Sequence, residues 1–380
     1  MRSVFQKAKE RGFGSSKACG PTRRSSWFAT TTPWARQRRG RDPQHFSRTR
    51  RRRFRSIRSA AFDLATIEGW PMIRKTVEFG TPGTRLSVAH RQLVIERPDQ
   101  PKATLPIEDL GVVIVDDGRA IYTQAVFVEL LAAGATVMVT GRDHLPVGMM
   151  LPLDAHHVQT ERHRAQVEAS EPTRKRSWQA LVRAKIGQQG AVLAHFTGHD
   201  GGLGPMARRV KSGDPDNLEA QAAQRYWPRL FGADFRRDRG AEGVNALLNY
   251  GYAVMRAATA RAVVGAGLIP SLGVFHKHRA NPFCLADDLL EPFRPFVDWR
   301  VKGHVEGGGS LSLDDKATRA ALLSLLNETV VVGGRRTALL LALHASAASL
   351  CRALTASERQ LALPEGLPLG QDLLEPLGEA

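Results

Sequence analysis

The chain has 380 residues, 42% of them hydrophobic, which is enough for two domains with apolar cores. The formal net charge is +17. Residues 1–71 hold 18 Lys and Arg against four acids, a net charge of +14, which leaves only +3 for residues 72–380. The total charge therefore says little about the folded part. Three scattered cysteines and the lack of a long uncharged apolar run exclude a disulfide scaffold, a cysteine-rich zinc cluster and a membrane-spanning protein, and they favour the cytoplasm.

Residues 1–71 are rich in Arg, Ser and Thr, include the run from Arg50 to Arg53, and show no sustained apolar period. This composition is typical of disorder, and we interpret the segment as a basic leader or an over-extended gene start. The alternative is a genuine DNA-binding or targeting arm. In either case we expect the folded part to begin near Met72.

Short β-rich segments separated by turn residues follow from Thr76 onwards. One helix, from Gln124 to Ala133, interrupts them, and Gly134 would end it. Residues 72–150 are therefore predicted to form a β-rich domain with a single helix. The predicted strands cover residues 76–79, 85–88, 93–97, 112–115 and 136–140.

Helical patterns dominate after Pro152 and predict a larger helical domain over residues 151–365, followed by a flexible tail over residues 366–380. The segment from Asn245 to Val264 is apolar on nearly every side, which predicts a buried central helix. The fold class is therefore α+β, with a small N-terminal β-rich domain and a larger all-α-helical domain. The predicted helices cover residues 155–168, 175–196, 217–231, 243–264, 314–327 and 336–353.

Glu219 lies in a predicted helix on the same face as Ala222, Ala223 and Tyr226, so this carboxylate is expected to face inward. A carboxylate among apolar neighbours is costly unless it is paired or bound to a cation. One interpretation is a metal ligand. The other is a salt bridge to a nearby arginine.

A second segment places His276 on a loop before Asp288 and Glu291, which are three residues apart and so share one helix face. Two acids on one face repel each other, and a divalent cation would turn that repulsion into attraction. The alternative is a solvated acidic helix start favoured by the helix dipole. Carboxylates with one imidazole suit Mg²⁺ or Mn²⁺ better than zinc, and such sites commonly act on phosphodiesters.

Basic clusters in the folded part are consistent with a phosphate-bearing substrate, although solvated surface is the alternative for each. One cluster opens a predicted helix, and Arg183 and Lys185 continue that helix. The other precedes the Glu219 helix. The two clusters contain Arg174, Lys175 and Arg176, and Arg208, Arg209 and Lys211.

Several ordered blocks of sequence closely resemble the CRISPR-associated Cas1 family, the integrase of CRISPR adaptation, and within it the type II branch. The resemblance runs from Met72 to about Pro364. The blocks are Gly-Asp-Pro-Asp-Asn-Leu-Glu at 213–219, Asn-Ala-Leu-Leu-Asn-Tyr-Gly-Tyr at 245–252, Asn-Pro-Phe at 281–283, Leu-Ala-Asp-Asp-Leu-Leu-Glu-Pro-Phe-Arg-Pro at 285–295 and Leu-Leu-Asn-Glu-Thr at 325–329.

The resemblance implies that Glu219, His276 and Glu291 are the catalytic metal ligands, with Asp288 in support. It departs from the family at one point, because the type II pattern commonly has two adjacent histidines where this chain has Phe275 and His276. Spacing from the acidic block selects His276. His278 remains the competing ligand.

The activity implied by the resemblance is that of a metal-dependent DNA endonuclease and integrase, which joins the 3′-hydroxyl ends of short foreign fragments to the CRISPR repeat by transesterification. Double-stranded and branched DNA are the implied substrates. The implied partners are a second copy bound through the β domain, a Cas2 dimer and a type II effector. Three alternatives remain: a nuclease that only cuts, a DNA-binding scaffold with an inactive site, and a protein that binds RNA through its basic leader.

Overall fold

The computed structural model describes residues 74–355 and 360–369. Strands dominate up to residue 150 and helices follow, so the predicted α+β class is confirmed. The basic leader over residues 1–71 and the last part of the predicted tail, residues 370–380, lie outside the described residues. The first part of that tail is tied to the fold, because the Leu369 N–H donates to Thr329 O at 2.8 Å.

Two four-stranded sheets make up the N-terminal region, in the orders β1-β5-β7-β8 and β4-β3-β2-β6. All five predicted strands are present, whereas β4, β6 and β8 were not predicted. One helix, α1 (Gln124–Ala132), packs beside them. The strands are β1 (Lys75–Phe79), β2 (Arg85–Ala89), β3 (Gln92–Arg97), β4 (Gln100–Pro106), β5 (Leu110–Val115), β6 (Ile121–Tyr122), β7 (Thr136–Thr140) and β8 (Pro146–Met150).

Strand β5 is buried on both faces. Val112 and Ile114 belong to the core shared with the helices, whereas Val113 and Val115 belong to the core between the two sheets. Parallel pairing with β1 and β7 places this strand inside its sheet. A strand covered on both faces reads as a continuous apolar run, which is what the Leu-Gly-Val-Val-Ile-Val sequence shows.

The C-terminal region is mainly helical, and α6 is its buried central helix, as predicted. Helix α3 is longer than predicted, and α4 and α8 were not predicted. The helix expected at Asp288 and Glu291 is present as α7, but Glu291 itself begins the 3-10 turn that follows it. The helices are α2 (Gln159–Glu168), α3 (Glu171–Thr197), α4 (Leu203–Arg209), α5 (Leu218–Phe231), α6 (Val244–Gly265), α7 (Cys284–Leu290), α8 (Arg294–Glu306), α9 (Lys316–Leu323) and α10 (Leu339–Thr355).

An antiparallel hairpin of β9 (Thr329–Val332) and β10 (Arg335–Ala338) corrects the expectation of an all-helical second region. Residues 336–338, predicted as the start of the last helix, belong to β10. The predicted helix over residues 314–327 is instead α9 followed by a 3-10 turn, Ser324–Asn327. No helix among the described residues is both long and apolar enough to cross a membrane.

Candidate metal centre

Glu219 is placed by a loop whose conformation its sequence dictates. Gly213, Asp214 and Asn217 all have positive φ, at 78°, 48° and 49°, a region that Gly, Asp and Asn tolerate best. The Asp214 carboxylate then accepts the backbone N–H groups of Leu218 at 2.9 Å and Glu219 at 3.0 Å. These bonds cap the start of α5 and fix Glu219 in its first turn.

Glu291 is buried at the junction of α7 and α8, in the 3-10 turn Glu291–Phe293. Its Oε1 accepts from Arg294 Nε at 2.9 Å. Burial raises the pKa of the Glu291 carboxyl, but Arg294 and Lys185 outweigh burial and lower this pKa to about 2. The carboxylate is therefore ionised throughout the neutral range.

Lys185 joins the two glutamates. Its Nζ lies 2.5 Å from Glu219 Oε1 and 2.5 Å from Glu291 Oε2, and all three side chains are at most 22% exposed. Burial lowers the pKa of Lys185, but Glu291 and Glu219 outweigh it and raise the pKa above its ordinary value. Two carboxylates 72 positions apart in sequence thus converge on one cation.

His276 is oriented by Asp288, whose side chain is fully buried. The Asp288 carboxylate accepts the N–H of Phe275 at 2.9 Å and the N–H of His276 at 3.2 Å, and its Oδ1 lies 2.5 Å from His276 Nδ1. The Asp288 hydrogen bond raises the pKa of His276, and Glu291 and Glu219 raise it further against burial. With Nδ1 held, Nε2 is the ring nitrogen left for a ligand.

His278, the competing imidazole, lies on the exposed part of the same loop. Its Nδ1 accepts from the Ala280 N–H at 3.3 Å. The fold thus brings Glu219 and Glu291 together through Lys185 and pairs His276 with Asp288. It leaves His278 turned towards its own loop.

The donor set fits a divalent cation that prefers oxygen ligands. Two carboxylates already share one cation position, and both also raise the pKa of the His276 imidazole. Glu291 Oε2 is buried and has no hydrogen bond of suitable geometry despite the nearby ammonium. Within the described ranges, however, no group of three or more His, Cys, Asp or Glu side chains is already arranged around a metal position.

The two basic clusters lie next to each other. Gly213, in the loop after the second cluster, donates its N–H to Lys175 O at 3.0 Å. All the cluster side chains are exposed except Arg174, which is half-buried. Ion pairs engage Lys175 with Glu171 and Lys211 with Asp216. The combined basic surface leads into the loop that positions Glu219.

The sequence interpretation missed the role of Lys185, which had been assigned to the basic helix. Its neighbour Arg183 is also engaged internally, since Nε and Nη2 donate to Val210 O at 3.1 and 2.8 Å. Helical spacing could have indicated that Lys185 points inward. Lys185 follows the buried Trp178, Leu181 and Val182 at seven, four and three residues, so it shares their inward face.

A second buried cluster lies behind Glu291. Tyr226 donates its hydroxyl to Asp298 Oδ2 at 3.0 Å, and Tyr252 donates to Oδ1 of the same carboxylate. Burial raises the pKa of Asp298 to about 7, although both tyrosine hydrogen bonds oppose this rise. The Arg294 guanidinium lies 4.8 Å from the centre of the Tyr252 ring, so Arg294 connects this cluster to Glu291.

Comparison with known proteins identifies close relatives. A family model for the CRISPR associated protein Cas1 matches residues 79–308 of the chain. CRISPR-associated endonuclease Cas1 of Neisseria meningitidis serogroup C (strain 8013) is 38% identical over 291 residues, covering 76% of this chain and 95% of that protein. A second relative, CRISPR-associated endonuclease Cas1 2 of Saccharolobus solfataricus, is 27% identical over 248 residues, covering 63% and 78% respectively.

Solved structures share the fold at lower sequence identity. A casposase bound to integration product matches with a TM-score of 0.64 and 22% identity, covering 76% of this chain and 92% of that chain. A Cas6-RT-Cas1–Cas2 complex matches with a TM-score of 0.61 and 18% identity, covering 78% of this chain and 36% of that chain. A Cas1 protein from Thermotoga maritima matches with a TM-score of 0.61 and 16% identity, covering 77% of this chain and all of that chain. At these identities the likeness establishes the fold alone.

Proposed function

Because the chain belongs to the Cas1 family of CRISPR-associated proteins, we propose that it is a metal-dependent DNA integrase and endonuclease of CRISPR adaptation. In this reaction the 3′-hydroxyl of a short foreign DNA fragment attacks a phosphodiester of the repeat, and the displaced strand leaves with a new 3′-hydroxyl. One observation carries the proposal. Glu219 and Glu291 converge on a single cation position, and both raise the pKa of His276, which Asp288 orients.

The proposed ligands are Glu219, His276 and Glu291, with Mg²⁺ or Mn²⁺ as the ion. Once bound, such an ion polarises the phosphoryl oxygen and lowers the pKa of the attacking hydroxyl. Glu291 is ionised at neutral pH without having to release a proton. Asp288 holds the His276 ring through Nδ1, so the ring is already oriented before any ligand arrives.

The basic surface formed by residues 174–176 and 208–211 is proposed to bind DNA phosphates. It lies beside the loop that places Glu219, so a bound backbone would run next to that loop. Phosphate contacts of this kind supply affinity rather than sequence recognition. We therefore expect the repeat to be selected elsewhere in the assembly.

The proposed assembly is a homodimer through the β domain, residues 72–150, joined to a Cas2 dimer and working with a type II effector. The helical domain, residues 151–365, would carry the catalytic site. The fold shared with a Cas6-RT-Cas1–Cas2 complex and with a casposase bound to integration product supports DNA and Cas2 as partners. Our second candidate is a DNA-binding scaffold without catalysis. Lys185 favours it, because its ammonium already pairs with both glutamates.

Strand joining tests the proposal directly. The purified full-length protein and its Cas2 partner would be incubated with a labelled DNA fragment and a supercoiled plasmid carrying the CRISPR array, in Mg²⁺, Mn²⁺ or EDTA. We expect labelled plasmid only with metal, and none from Glu219→Ala, His276→Ala or Glu291→Ala. His278→Ala is the matched control and should retain most of the joining.

The other outcomes separate the alternatives. Plasmid cleavage without joined label would indicate a nuclease that uses water as the nucleophile. DNA binding without any product, in either metal and with all components folded, would support the scaffold. An inactive His278→Ala together with an active His276→Ala would mean that the wrong imidazole has been selected.

A further inference from the structure

The cation between Glu219 and Glu291 is a side chain of the protein, the ammonium of Lys185. We propose that Lys185 is an internal cation that holds the two glutamates together before metal binds, and that it must move out when a divalent ion enters, so that it competes with the metal. Lys185 is thus a positioning residue that sets how readily the site accepts metal. This inference rests on the proposed function, because it concerns the same site.

The geometry explains why a cation is needed in this position. Each of the two carboxylate oxygens lies 2.5 Å from Lys185 Nζ, so the two oxygens are separated by no more than about 5 Å. Glu291 is 8% exposed and Glu219 is 22% exposed, which limits screening by water. Removing the ammonium would leave two negative charges facing each other in a largely buried space.

The same geometry explains why the lysine and a metal exclude each other. A divalent ion held by both glutamates would need the same two carboxylate oxygens. The ammonium is within 2.5 Å of the same two atoms, so both cations would occupy one space. Lysine has a flexible four-carbon stem that allows the ammonium to withdraw. This stem is what would let Lys185 leave while the glutamates stay in place.

Glu291 has a second partner that would hold it in place after Lys185 leaves. Arg294 Nε donates to Oε1 at 2.9 Å, whereas Lys185 lies at Oε2 without forming a hydrogen bond of suitable geometry. Departure of the ammonium would free Oε2 and leave the Arg294 contact intact. Glu219 is held independently, through the Asp214 cap at its backbone N–H. Both carboxylates thus remain positioned for an incoming ion.

The test compares Lys185→Met with Lys302→Met in the full chain. Lys302 forms an ordinary pair with Glu306 on α8 at 3.0 Å, so it controls for loss of a lysine ion pair elsewhere. Thermal unfolding would be measured in EDTA, and Mn²⁺ binding by isothermal titration calorimetry. We expect Lys185→Met to unfold several degrees below the wild type in EDTA, to bind Mn²⁺ at least tenfold more tightly, and to regain its stability with Mn²⁺. Lys302→Met should match the wild type in metal affinity.

A double variant, Lys185→Met with Glu219→Gln, separates charge from packing. If Lys185 acts as a cation, removing one negative charge should restore most of the melting temperature lost in EDTA. This variant also decides the matter if Lys185→Met alone does not fold: a folded double variant supports the internal cation, and an unfolded one overturns it.

Two results would overturn the inference directly: an unchanged melting temperature of Lys185→Met in EDTA, or Mn²⁺ affinity equal to or weaker than that of the wild type. Lack of Mn²⁺ binding by every variant would overturn the competition and the proposed metal site together. A lowered melting temperature in EDTA that the double variant restores would still support the internal cation in that case, so the two failures can be told apart.

Discussion

Replacing Asp288 tests how far the candidate site depends on a residue that would not itself touch the metal. The buried Asp288 carboxylate accepts two backbone N–H groups, from Phe275 and His276, as well as the His276 imidazole. Asp288→Ala leaves both backbone donors without this acceptor, at about 1–3 kcal/mol each, so the free energy of unfolding should fall by about 2–6 kcal/mol. The 42% exposed His276 side chain can turn to water instead, so it adds little to this cost.

Asp288→Asn is the milder change, because the amide retains one oxygen acceptor. We expect it to lose about half of that free energy and to reduce Mn²⁺ affinity by about 10–100-fold, as is usual when a residue that orients a metal ligand is replaced. Urea unfolding and calorimetric Mn²⁺ titration measure the two effects. The matched control is Asp287→Asn, since Asp287 pairs with Arg256 at 2.7 Å rather than with His276. If Asp288→Asn kept both the wild-type stability and the wild-type Mn²⁺ affinity, the orienting role would be refuted.

Three further predictions concern other parts of the fold. Burial raises the pKa of Asp298 from 3.8 to about 7 in the folded protein. The unfolded chain therefore ionises first, and the free energy of unfolding should fall as pH rises from 3.8 to about 7. Between pH 5 and 8 the loss is about 3 kcal/mol, and urea unfolding of Asp298→Asn should lack it. Gly251→Ala would place Cβ 2.4 Å from Val297 Cγ1 and should cost about 1–3 kcal/mol in urea unfolding, part of which Val297→Ala should restore. Neutralising residues 174–176 should weaken DNA binding and flatten its salt dependence. An unchanged slope of affinity against salt concentration in a filter-binding titration would show that these residues are ordinary solvated surface.

The strands and central helix were predictable wherever local pattern and burial agree. Helix α6 is apolar around its circumference because the other elements surround it, and this is visible in the sequence. The β9–β10 hairpin was not predictable in the same way. Its strands have four residues each, and the Thr-Val-Val-Val run of β9 directly follows a helical pattern. A short apolar run of this kind fits a helix or a strand equally well until its partner strand is known.

The candidate site was predictable in its acids and imidazole but not in its cation. Asp288 and Glu291 are three residues apart, so helical spacing predicts that both lie on one side of the same chain segment. Lys185 reaches Glu219 from 34 positions away and Glu291 from 106 positions away. Only the packing of α3 against α5 and the turn at Glu291 brings these groups together. Helical spacing could place Lys185 on an inward face, but could not say what it would meet there.

Glu291 and Asp298 show why residue identity alone does not define a metal ligand. Both carboxylates are buried and they are seven residues apart, yet the pKa of Glu291 is about 2 and that of Asp298 is about 7. Burial raises both values. Glu291 faces Arg294 and Lys185, whose charges outweigh burial, whereas Asp298 faces the hydroxyls of Tyr226 and Tyr252, which do not. A neutral carboxyl is a poor partner for a divalent ion. Of these two carboxylates, Glu291 is thus the one that the proposed function would use for a divalent ion, whereas Asp298 is a buried member of the core.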